Sequence, residues 1–567
     1  MRNQWNGIHT AEIASDVPIR LGPRPSRSLI CGHRVANRGH RGIRVSSTTS
    51  CTTPSLRRVT FCVALVLLIA PASYALDLTV TIASGRLRGA HGEVASFKGI
   101  PYAAAPVGRL RWRAPEGPAF WRDVRDATQF GPQCPQPQPS GVANEDCLTL
   151  NVWTSARSTS ERLPVVVWIH GGGFFRGSGS NSAYDGDALA RRGVVLVTLN
   201  YRLGALGFLA HPSLSRESAH GVSGNYGLLD QMSALRWVQK NIAHFGGDPA
   251  NITVAGESGG AYSICILMVS PLAKGLFHRA ILQSLPLMFQ PTRRLREAYA
   301  GLPSAEAEGA ARVADIRAAR RMSAEEIVNQ VAPASTLSTG VHFYPVVDGW
   351  LLPEDPSVLI LARRRTLVPV LMGYGADEGN FFLANAPKTV SGFRAFVAHK
   401  FPRTPFESIL AMYPAATDAD APVALAQFFG DYELLTSTVL TARAASKRGN
   451  VYLYQFSRVG PRSRRLWNGA AHTADIPYVF DHVQIPSEDF DPPDKMVSDA
   501  MVGAWVRFAK SGNPNGPNLP EWPRYDEPDY RYLNYSDRIS TESGFRESEI
   551  EFCRLVLEQA AKRDPNR

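Results

Sequence analysis

Short, almost continuous apolar runs recur along the chain, and longer stretches of mixed polarity separate them. The runs are rich in β-branched residues and cover residues 165–169, 194–199, 252–255, 280–282, 368–372 and 451–454. Parallel strands that are covered on both faces need such runs, because neither face of the strand meets water. The pattern therefore predicts an α/β fold with a large, mostly parallel central sheet and helices on both of its faces.

The stretches between the runs contain helical periodicity. One apolar stripe at helical spacing is interpreted as a core face, with Gly246 and Gly247 as its stop, and it consists of Leu228, Met232, Leu235, Val238 and Ile242. Residues 296–330 and about 388–445 are predicted to be helices inserted between strands, where they are expected to cap the mouth of an active-site gorge. Residues 78–82 alternate in polarity and predict an antiparallel edge strand. No internal repeat or long linker marks a second domain, so we predict one domain over residues 76–567.

Charge changes this picture only at the amino terminus. The 567 residues are 44% hydrophobic and 20% charged, which is ordinary for a globular protein with a full core. Of the net charge of +11, residues 1–75 carry +8, from ten arginines against Glu12 and Asp16. The remaining +3 forms no basic stripe, so we predict no nucleic-acid partner.

The amino-terminal segment has the pattern of an export signal. Arg57 and Arg58 precede the apolar residues 59–70, and a small-residue stretch ends at Ala75. This predicts a secretory signal peptide over residues 56–75, and hence a secreted or periplasmic protein. The run is shorter than the ~20 residues of a membrane-spanning helix, so no membrane anchor is expected after cleavage. Residues 1–55 are predicted to be non-globular, and we hypothesise that translation truly starts near Leu56.

A serine flanked by glycines follows the apolar run 252–255. The sequence Gly-Glu-Ser-Gly-Gly over residues 256–260 predicts a nucleophile elbow, in which a sharp turn between strand and helix exposes the hydroxyl of Ser258. Glycines are needed there because side chains on either flank would clash with neighbouring elements. An ordinary Ser-Gly turn is the alternative, but the strand before it and the helix after it favour a catalytic serine.

A second glycine run follows the strand that ends at Ile169. His170 is followed by three glycines and Phe174, and this arrangement supplies backbone N–H donors to the oxyanion in lipases and esterases. We expect the N–H groups of Gly172 and Gly173 to form such a hole together with that of Gly259. His170 itself is interpreted as structural.

The order of the chain suggests the partners of the serine. An α/β-hydrolase places its triad as serine, then acid, then histidine. His472 lies in a Gly/Ala-rich loop beyond the 451–454 strand and is the expected base. Asp377 and Glu378 both follow the 368–372 strand, and spacing alone does not distinguish them. Such a triad requires no metal and no organic cofactor.

Cysteine usage agrees with export. Cys134 and Cys147 enclose twelve residues rich in Pro, Gln and Ser. Closing such a loop would stabilise the fold by roughly 3 kcal/mol in an oxidising compartment. Cys265 is expected to be a small buried residue in the helix after the elbow.

Together these features resemble the type B carboxylesterase family, which includes cholinesterases and bacterial para-nitrobenzyl esterases. The likeness covers nearly all of residues 78–535. Beyond the elbow and the triple-glycine run, it rests on several motifs in order, at residues 97–103, 106–108, 111–112, 145–153, 200–202, 207–208, 225–231, 277–280 and 512–515.

The resemblance implies that Glu378 is the triad acid, supports His472 as the base, and implies a disulfide between Cys134 and Cys147. Two departures have consequences. Residue 259 is Gly where the family usually has Ala, although its N–H remains. The Cys134–Cys147 loop contains no Trp, so choline esters, which cholinesterases hold by cation–π contact in this loop, are not expected.

The sequence therefore predicts a serine carboxylesterase that hydrolyses small-molecule esters. A related acyl hydrolase of amides, carbamates or lactones would use the same residues. A catalytically inactive binding module is a further alternative, disfavoured because serine, acid and histidine are all present. Arg176 is either a contact for an anionic acyl group or a solvated or ion-paired loop residue. Neither the natural substrate nor the oligomeric state follows from the sequence.

Overall fold

The computed structural model describes residues 78–286, 290–332, 334–336, 339–340, 342–362, 368–382 and 386–561. The predicted signal peptide over residues 56–75 and the preceding segment 1–55 lie outside these residues and remain predictions. Among the described helices, none combines the length and the apolar character needed to cross a lipid bilayer.

Strands occur from one end of the described chain to the other. They are β1 (Thr79–Ile82), β2 (Gly85–Arg88), β3 (Ala90–His91), β4 (Ala95–Pro101), β5 (Val124–Asp126), β6 (Thr149–Thr154), β7 (Leu163–Ile169), β8 (Val195–Leu199), β9 (Gly247–Glu257), β10 (Arg279–Gln283), β11 (Ala334–Thr336), β12 (Thr339–Gly340), β13 (Val370–Gly375), β14 (Val451–Phe456), β15 (Tyr532–Tyr535) and β16 (Ser540–Glu542).

Helices fill most of the connections between strands. They are α1 (Asp187–Arg191), α2 (Gly204–Phe208), α3 (Pro212–Glu217), α4 (Tyr226–Asn241), α5 (Gly259–Val269), α6 (Ala305–Arg312), α7 (Ile316–Ala319), α8 (Ala324–Glu326), α9 (Pro356–Leu361), α10 (Gly379–Phe382), α11 (Val390–Lys400), α12 (Phe406–Met412), α13 (Ala421–Gly430), α14 (Thr436–Ser446), α15 (Pro461–Trp467), α16 (Ile476–Val479), α17 (Pro492–Ser511) and α18 (Glu547–Ala561).

The large sheet has eleven strands in the order β16-β15-β14-β13-β10-β9-β7-β8-β6-β4-β3. The seven strands from β15 to β8 run parallel, while β16 and the strands β6, β4 and β3 pair antiparallel at the two edges. All six predicted runs are strands of the parallel part. The run at 78–82 forms β1, which pairs antiparallel with β2 in a separate three-stranded sheet that β5 completes.

Helices cover both faces of the large sheet. Consecutive residues of a strand point to opposite sides of the sheet, so each strand contributes side chains to a core on either face. In β7, Val165 and Val167 belong to the same core cluster as the predicted stripe of α4, all five members of which are fully buried. Trp168 points the other way and packs in a second cluster with Trp505 of α17. The predicted mostly parallel α/β sheet is therefore confirmed.

The inserted helices lie where the sequence predicted them. Helices α6 to α8 occupy the connection between β10 and β13, and α11 to α14 occupy the connection between β13 and β14. Their insertion at these points is significant because both connections leave the sheet at the carboxyl ends of parallel strands, where α/β proteins gather their functional residues.

Candidate active site

Ser258 lies in the turn between β9 and α5. Its backbone has φ 54° and ψ −122°, a conformation that non-glycine residues adopt only under strain. The N–H of Ser258 donates to the carbonyl of Gln283 at the end of β10 (3.0 Å), so the serine sits at the carboxyl ends of two adjacent parallel strands. This is the geometry that the predicted elbow requires.

The elbow glycines are needed for close packing. A Cβ on Gly260 would lie 2.0 Å from the carbonyl oxygen of Ile169, the last residue of β7, and one on Gly256 would lie 2.8 Å from the same oxygen. A Cβ on Gly259 would come no closer than 3.2 Å, to the N atom of Gly173. The two outer glycines therefore let the elbow lie directly against the end of β7, as the sequence predicted.

The segment 170–179, here called the oxyanion loop, begins where β7 ends. Gly172 has φ +99°, and its carbonyl accepts hydrogen bonds from the N–H groups of Phe175 and Arg176 (both 3.2 Å), which closes a tight turn. Within the described part of the chain, the N–H groups of Gly172 and Gly173 have no protein acceptor. The N–H of Gly259 opens α5 and is among the donors that a helix leaves unpaired at its start. Gly173 and Gly259 lie close together, since a Cβ added to Gly259 would be 3.2 Å from the N atom of Gly173, so this corner offers N–H donors to an anion.

Glu378 and His472 form a buried contact. Oε2 of Glu378 lies 2.6 Å from Nδ1 of His472, and both side chains are about 2–3% exposed. Oε1 of the same carboxylate accepts hydrogen bonds from Ser284 Oγ (2.5 Å) and from the N–H of Gly375 (2.6 Å). The carboxylate is thus held from two sides, and its remaining oxygen faces the histidine.

The neighbouring carboxylate, that of Asp377, has a different partner. Oδ2 of Asp377 accepts a hydrogen bond from the N–H of Ala470 (2.8 Å), and the Asp377 N–H donates to the carbonyl of Ala470 (3.0 Å). Asp377 therefore links the turn after β13 to the backbone of the loop that carries His472. Of the two residues that spacing left open, the structure places Glu378 against the histidine.

Glu257, the residue before the serine, contacts the other nitrogen of the ring. Its Oε1 lies 2.8 Å from Nε2 of His472. Burial of His472 is the largest effect on its pKa and lowers it, but the charges of Glu257 and Glu378 outweigh burial and raise the pKa to about 10. Sequence reasoning missed this contact, although Glu257 lies inside the elbow motif. Among the described residues, the hydroxyl of Ser258 makes no hydrogen bond.

Further polar residues support the site from behind. Oδ2 of Asp475 accepts hydrogen bonds from Gln283 Nε2 (2.7 Å) and Tyr454 OH (2.9 Å). Burial, assisted by the charges of Glu378 and Glu257, raises the pKa of Asp475 to about 6. Neither Asp475 nor Ser284 was singled out from the sequence. Ser284 had one available signal, because it directly follows β10 at the carboxyl edge of the sheet.

Aromatic rings form one wall of the site. The rings of Phe382 and Phe381 lie 4.8 Å and 5.6 Å from the ring of His472. Phe382 in turn contacts Phe429 of α13 (5.6 Å), and Phe381 contacts Trp467 at the end of α15 (6.5 Å). The inserted helices therefore contribute an apolar surface beside the histidine.

Cys134 and Cys147 form a disulfide, and Cys265 is a free, buried cysteine in α5. His170 stacks on Tyr201 and is buried, which lowers its pKa to about 4 and keeps it neutral, in agreement with a structural role.

Arg176 is half-buried, with its guanidinium carbon 5.6 Å from the ring centroid of Phe175. In the part of the chain that the structure covers, no group of three or more His, Cys, Asp or Glu side chains is arranged to hold a metal ion.

Comparison with known proteins places this chain in a family. The carboxylesterase family model matches residues 76–553. Fumonisin B1 esterase of Sphingopyxis macrogoltabida is 38% identical over 490 residues, which cover 83% of this chain and 88% of the relative. Para-nitrobenzyl esterase of Bacillus subtilis is 34% identical over 490 residues, covering 82% and 96%. Phenmedipham hydrolase of Pseudarthrobacter oxydans is 37% identical over 462 residues, covering 76% and 90%.

A solved structure agrees with the sequence relatives. A PNB esterase structure superposes with a TM-score of 0.72 at 34% identity, and the match covers 85% of this chain and all of the other. Fold, family match and relatives thus lead to one conclusion: this chain belongs to the carboxylesterase family and is a carboxylic ester hydrolase with the α/β-hydrolase fold.

Proposed function

We propose that this protein hydrolyses carboxylic esters through an acyl intermediate on Ser258, with His472 as general base and Glu378 as the acid that orients it. The observation that carries the proposal is the buried 2.6 Å contact between Glu378 and His472, set beside a serine in a strained turn. A serine hydroxyl is a weak nucleophile until a base takes its proton, and the base needs a partner that holds its ring.

Acylation uses both nitrogens of His472. Nε2 takes the proton of Ser258 as Oγ bonds to the carbonyl carbon of the ester, and the electron pair of the carbonyl moves onto its oxygen. Nε2 must then face the serine instead of Glu257, its neighbour in the free protein. Catalytic hydrogen bonds commonly form only when substrate is bound. The carboxylate of Glu378 on Nδ1 stabilises the imidazolium. The electron pair then returns from the oxyanion to re-form the carbonyl, the bond from its carbon to the alkoxy oxygen breaks, and the imidazolium gives its proton to that oxygen, which leaves as the alcohol.

The negative charge on the former carbonyl oxygen needs donors that are already in place. The N–H groups of Gly172, Gly173 and Gly259 are proposed to bind it, and loss of one such donor typically costs ~3–4 kcal/mol of transition-state stabilisation. Water then attacks the acyl-enzyme with His472 again as the base, which releases the carboxylic acid and restores the serine.

The substrates are proposed to be small organic esters with an apolar leaving group. His472 must reach the leaving oxygen, and the rings of Phe381 and Phe382 lie beside its ring. Apolar surface next to the leaving group favours aryl or alkyl alcohols, because such groups gain free energy when they leave water.

We also propose that the protein is exported, with a signal peptide at residues 56–75 and a mature domain from residue 76. The disulfide between Cys134 and Cys147 supports an oxidising compartment, where such bonds persist. Amino-terminal sequencing of the native protein tests this. A mature terminus near Leu76 is expected, and a terminus upstream of Leu56 would contradict it.

The test of catalysis uses para-nitrophenyl acetate, butyrate and octanoate with the purified mature protein. Ser258→Ala should abolish turnover, whereas Ser160→Ala, an exposed serine before β7, should not affect it. A fluorophosphonate should add one label to the wild-type protein, on the peptide that contains Ser258.

Two outcomes would redirect the assignment. A folded wild-type protein that neither turns over these esters nor takes the label would fit a binding module. Equal turnover of a matched amide and ester would indicate a broader acyl hydrolase.

A further inference from the structure

A side chain of the disulfide loop, residues 134–147, is hydrogen-bonded to the oxyanion loop. The N–H of Gly177 donates to Oε1 of Gln136 (2.8 Å), and Nε2 of Gln136 donates to the carbonyl of Gly177 (3.0 Å). One amide side chain therefore pairs with both polar groups of one backbone residue, as a neighbouring strand would. Two bonds of this kind determine the orientation of the Gly177 backbone as well as its position.

Gly177 lies directly against the first residues of the oxyanion loop. A Cβ at this position would be 2.3 Å from Nδ1 of His170 and 2.6 Å from the carbonyl oxygen of Gly171. The chain turns back tightly between these points, because the carbonyl of Gly172 accepts hydrogen bonds from the N–H groups of Phe175 and Arg176, three and four residues later. A shift of Gly177 must therefore move the backbone that carries the proposed oxyanion donors.

Gln136 is itself fixed. Its Nε2 also donates to the carbonyl of Cys134 (3.0 Å), which the disulfide joins to Cys147. Asn200 forms a second link, between the oxyanion loop and the residues just before the disulfide loop, because it accepts from the N–H of Gly179 (2.9 Å) and donates to the carbonyl of Pro132 (3.0 Å). Gln136 holds Gly177, which is two residues nearer to Gly173 along the chain than Gly179, the residue that Asn200 holds.

We propose that Gln136 is a positioning residue for the oxyanion hole. By holding Gly177, it keeps the N–H groups of Gly172 and Gly173 aimed at the point where negative charge develops. The inference rests on the proposed function, in which those groups bind the oxyanion. Donors at such a site act over a narrow range of distance, about 2.7–3.1 Å. A looser loop should therefore lower kcat and leave KM nearly unchanged, since the charge develops only in the transition state.

The variants separate this role from general support of the loop. Gln136→Leu has similar size and removes both hydrogen bonds to Gly177, and Gln136→Glu keeps only the acceptor for the Gly177 N–H. Gln133→Leu is the matched control, because the described hydrogen bonds of Gln133 all go to Ser140, Val142 and Asn144 inside the disulfide loop.

The expected pattern is graded. With a para-nitrophenyl ester, Gln136→Leu should lose at least about tenfold in kcat, a part of the ~10²–10³-fold that follows complete loss of one donor. Gln136→Glu should fall between this variant and the wild-type protein, and Gln133→Leu should remain within about twofold of wild-type activity.

Two further measurements test the mechanism. A trifluoromethyl ketone accepts Ser258 Oγ at its carbonyl carbon, its oxygen gains the electron pair and the serine proton passes to His472, so its inhibition constant should rise in parallel with the loss of kcat/KM. Hydrogen exchange of the peptide 171–180 should be faster in Gln136→Leu than in Gln133→Leu, whether or not the protein is active.

The activity and the hydrogen exchange of the variants together decide whether Gln136 positions the oxyanion hole. The proposal is overturned if activity and exchange of Gln136→Leu match those of Gln133→Leu, or if activity falls while exchange stays that of wild type. If the wild-type protein does not hydrolyse esters but exchange rises only in Gln136→Leu, the proposed function fails and the hold on the loop is supported. If Gln136→Leu does not fold, as judged by circular dichroism, Gln136→Glu decides by the same measurements.

Discussion

Oε1 of Glu257 lies 2.8 Å from Nε2 of His472, the ring nitrogen that must accept the proton of Ser258 in the proposed reaction. With Glu378 on the opposite nitrogen, the imidazole lies between two carboxylates. This arrangement favours the imidazolium that forms during acylation, but it also holds a proton on the resting ring. These two effects on catalysis oppose each other, and both should appear in the pH dependence of the activity.

We therefore expect the activity to depend on pH through His472. Only the neutral ring can take the serine proton, and the two carboxylates raise the pKa of the ring, so kcat/KM should rise with pH into the alkaline range. Glu257→Gln removes one negative charge and lowers this pKa. The acidic limb of the profile should then move to lower pH by at least about one unit, which corresponds to about 1.4 kcal/mol.

The control is Glu161→Gln, an exposed change at the opposite end of β7 from the site. Its pH profile for a para-nitrophenyl ester should match that of the wild-type protein. If Glu257→Gln leaves the limb in place, or moves it to higher pH, the charge of Glu257 does not set the titration of His472.

Loss of charge at the adjacent residues Asp377 and Glu378 should lower the activity to very different extents. Glu378→Gln removes the carboxylate from His472 Nδ1, and kcat should fall about 10³–10⁴-fold, as in other triads that lose this charge. Asp377→Asn keeps an oxygen that can accept from Ala470, so its loss should be less than about tenfold. Steady-state kinetics on one activated ester compares the two, and equal losses would contradict the assignment.

Two neighbouring glycines offer a steric test of the elbow. Gly260→Ala places a Cβ 2.0 Å from the carbonyl oxygen of Ile169, so β7 or the elbow must shift, and we expect at least about a hundredfold loss of activity with a lower melting temperature. Gly259→Ala keeps its N–H and meets Gly173 N at 3.2 Å, so at least about a tenth of the activity should remain. Its melting temperature should fall less than that of Gly260→Ala, because the 3.2 Å approach requires only a small shift of Gly173. A Gly260→Ala protein with wild-type kinetics would show that the elbow does not need this close contact.

The disulfide should stabilise the fold and support the oxyanion loop. Replacing both Cys134 and Cys147 with serine should lower the free energy of unfolding by roughly 3 kcal/mol, since the sequence separation is 13 residues. Denaturant unfolding measures this change. Dithiothreitol should destabilise the wild-type protein by a similar amount and leave the double variant unaffected, and an equal effect on both would place the sensitivity elsewhere.

Much of the fold and site could be predicted from the sequence because the signals are local. A strand covered on both faces needs a continuous apolar run, and the runs ending at Ile169 and Ala255 show this without knowledge of their neighbours. The elbow motif around Ser258 and the glycine run at Gly172 are each contained within five residues, and at Gly172 the steric reason is local too, because a Cβ there would lie 2.2 Å from the carbonyl oxygen of Arg176. The order of these signals along the chain then placed His472 in the loop where the structure has it.

Only the tertiary structure decided which side chains meet. Asp377 and Glu378 are adjacent, and the path of their loop sends one to the backbone of Ala470 and the other to His472, 94 residues away. Gln136 reaches Gly177 across 41 residues through a loop whose composition carries no such signal. Sequence patterns report the local demands of burial and backbone geometry, whereas contacts between distant segments depend on how the sheet and its loops pack.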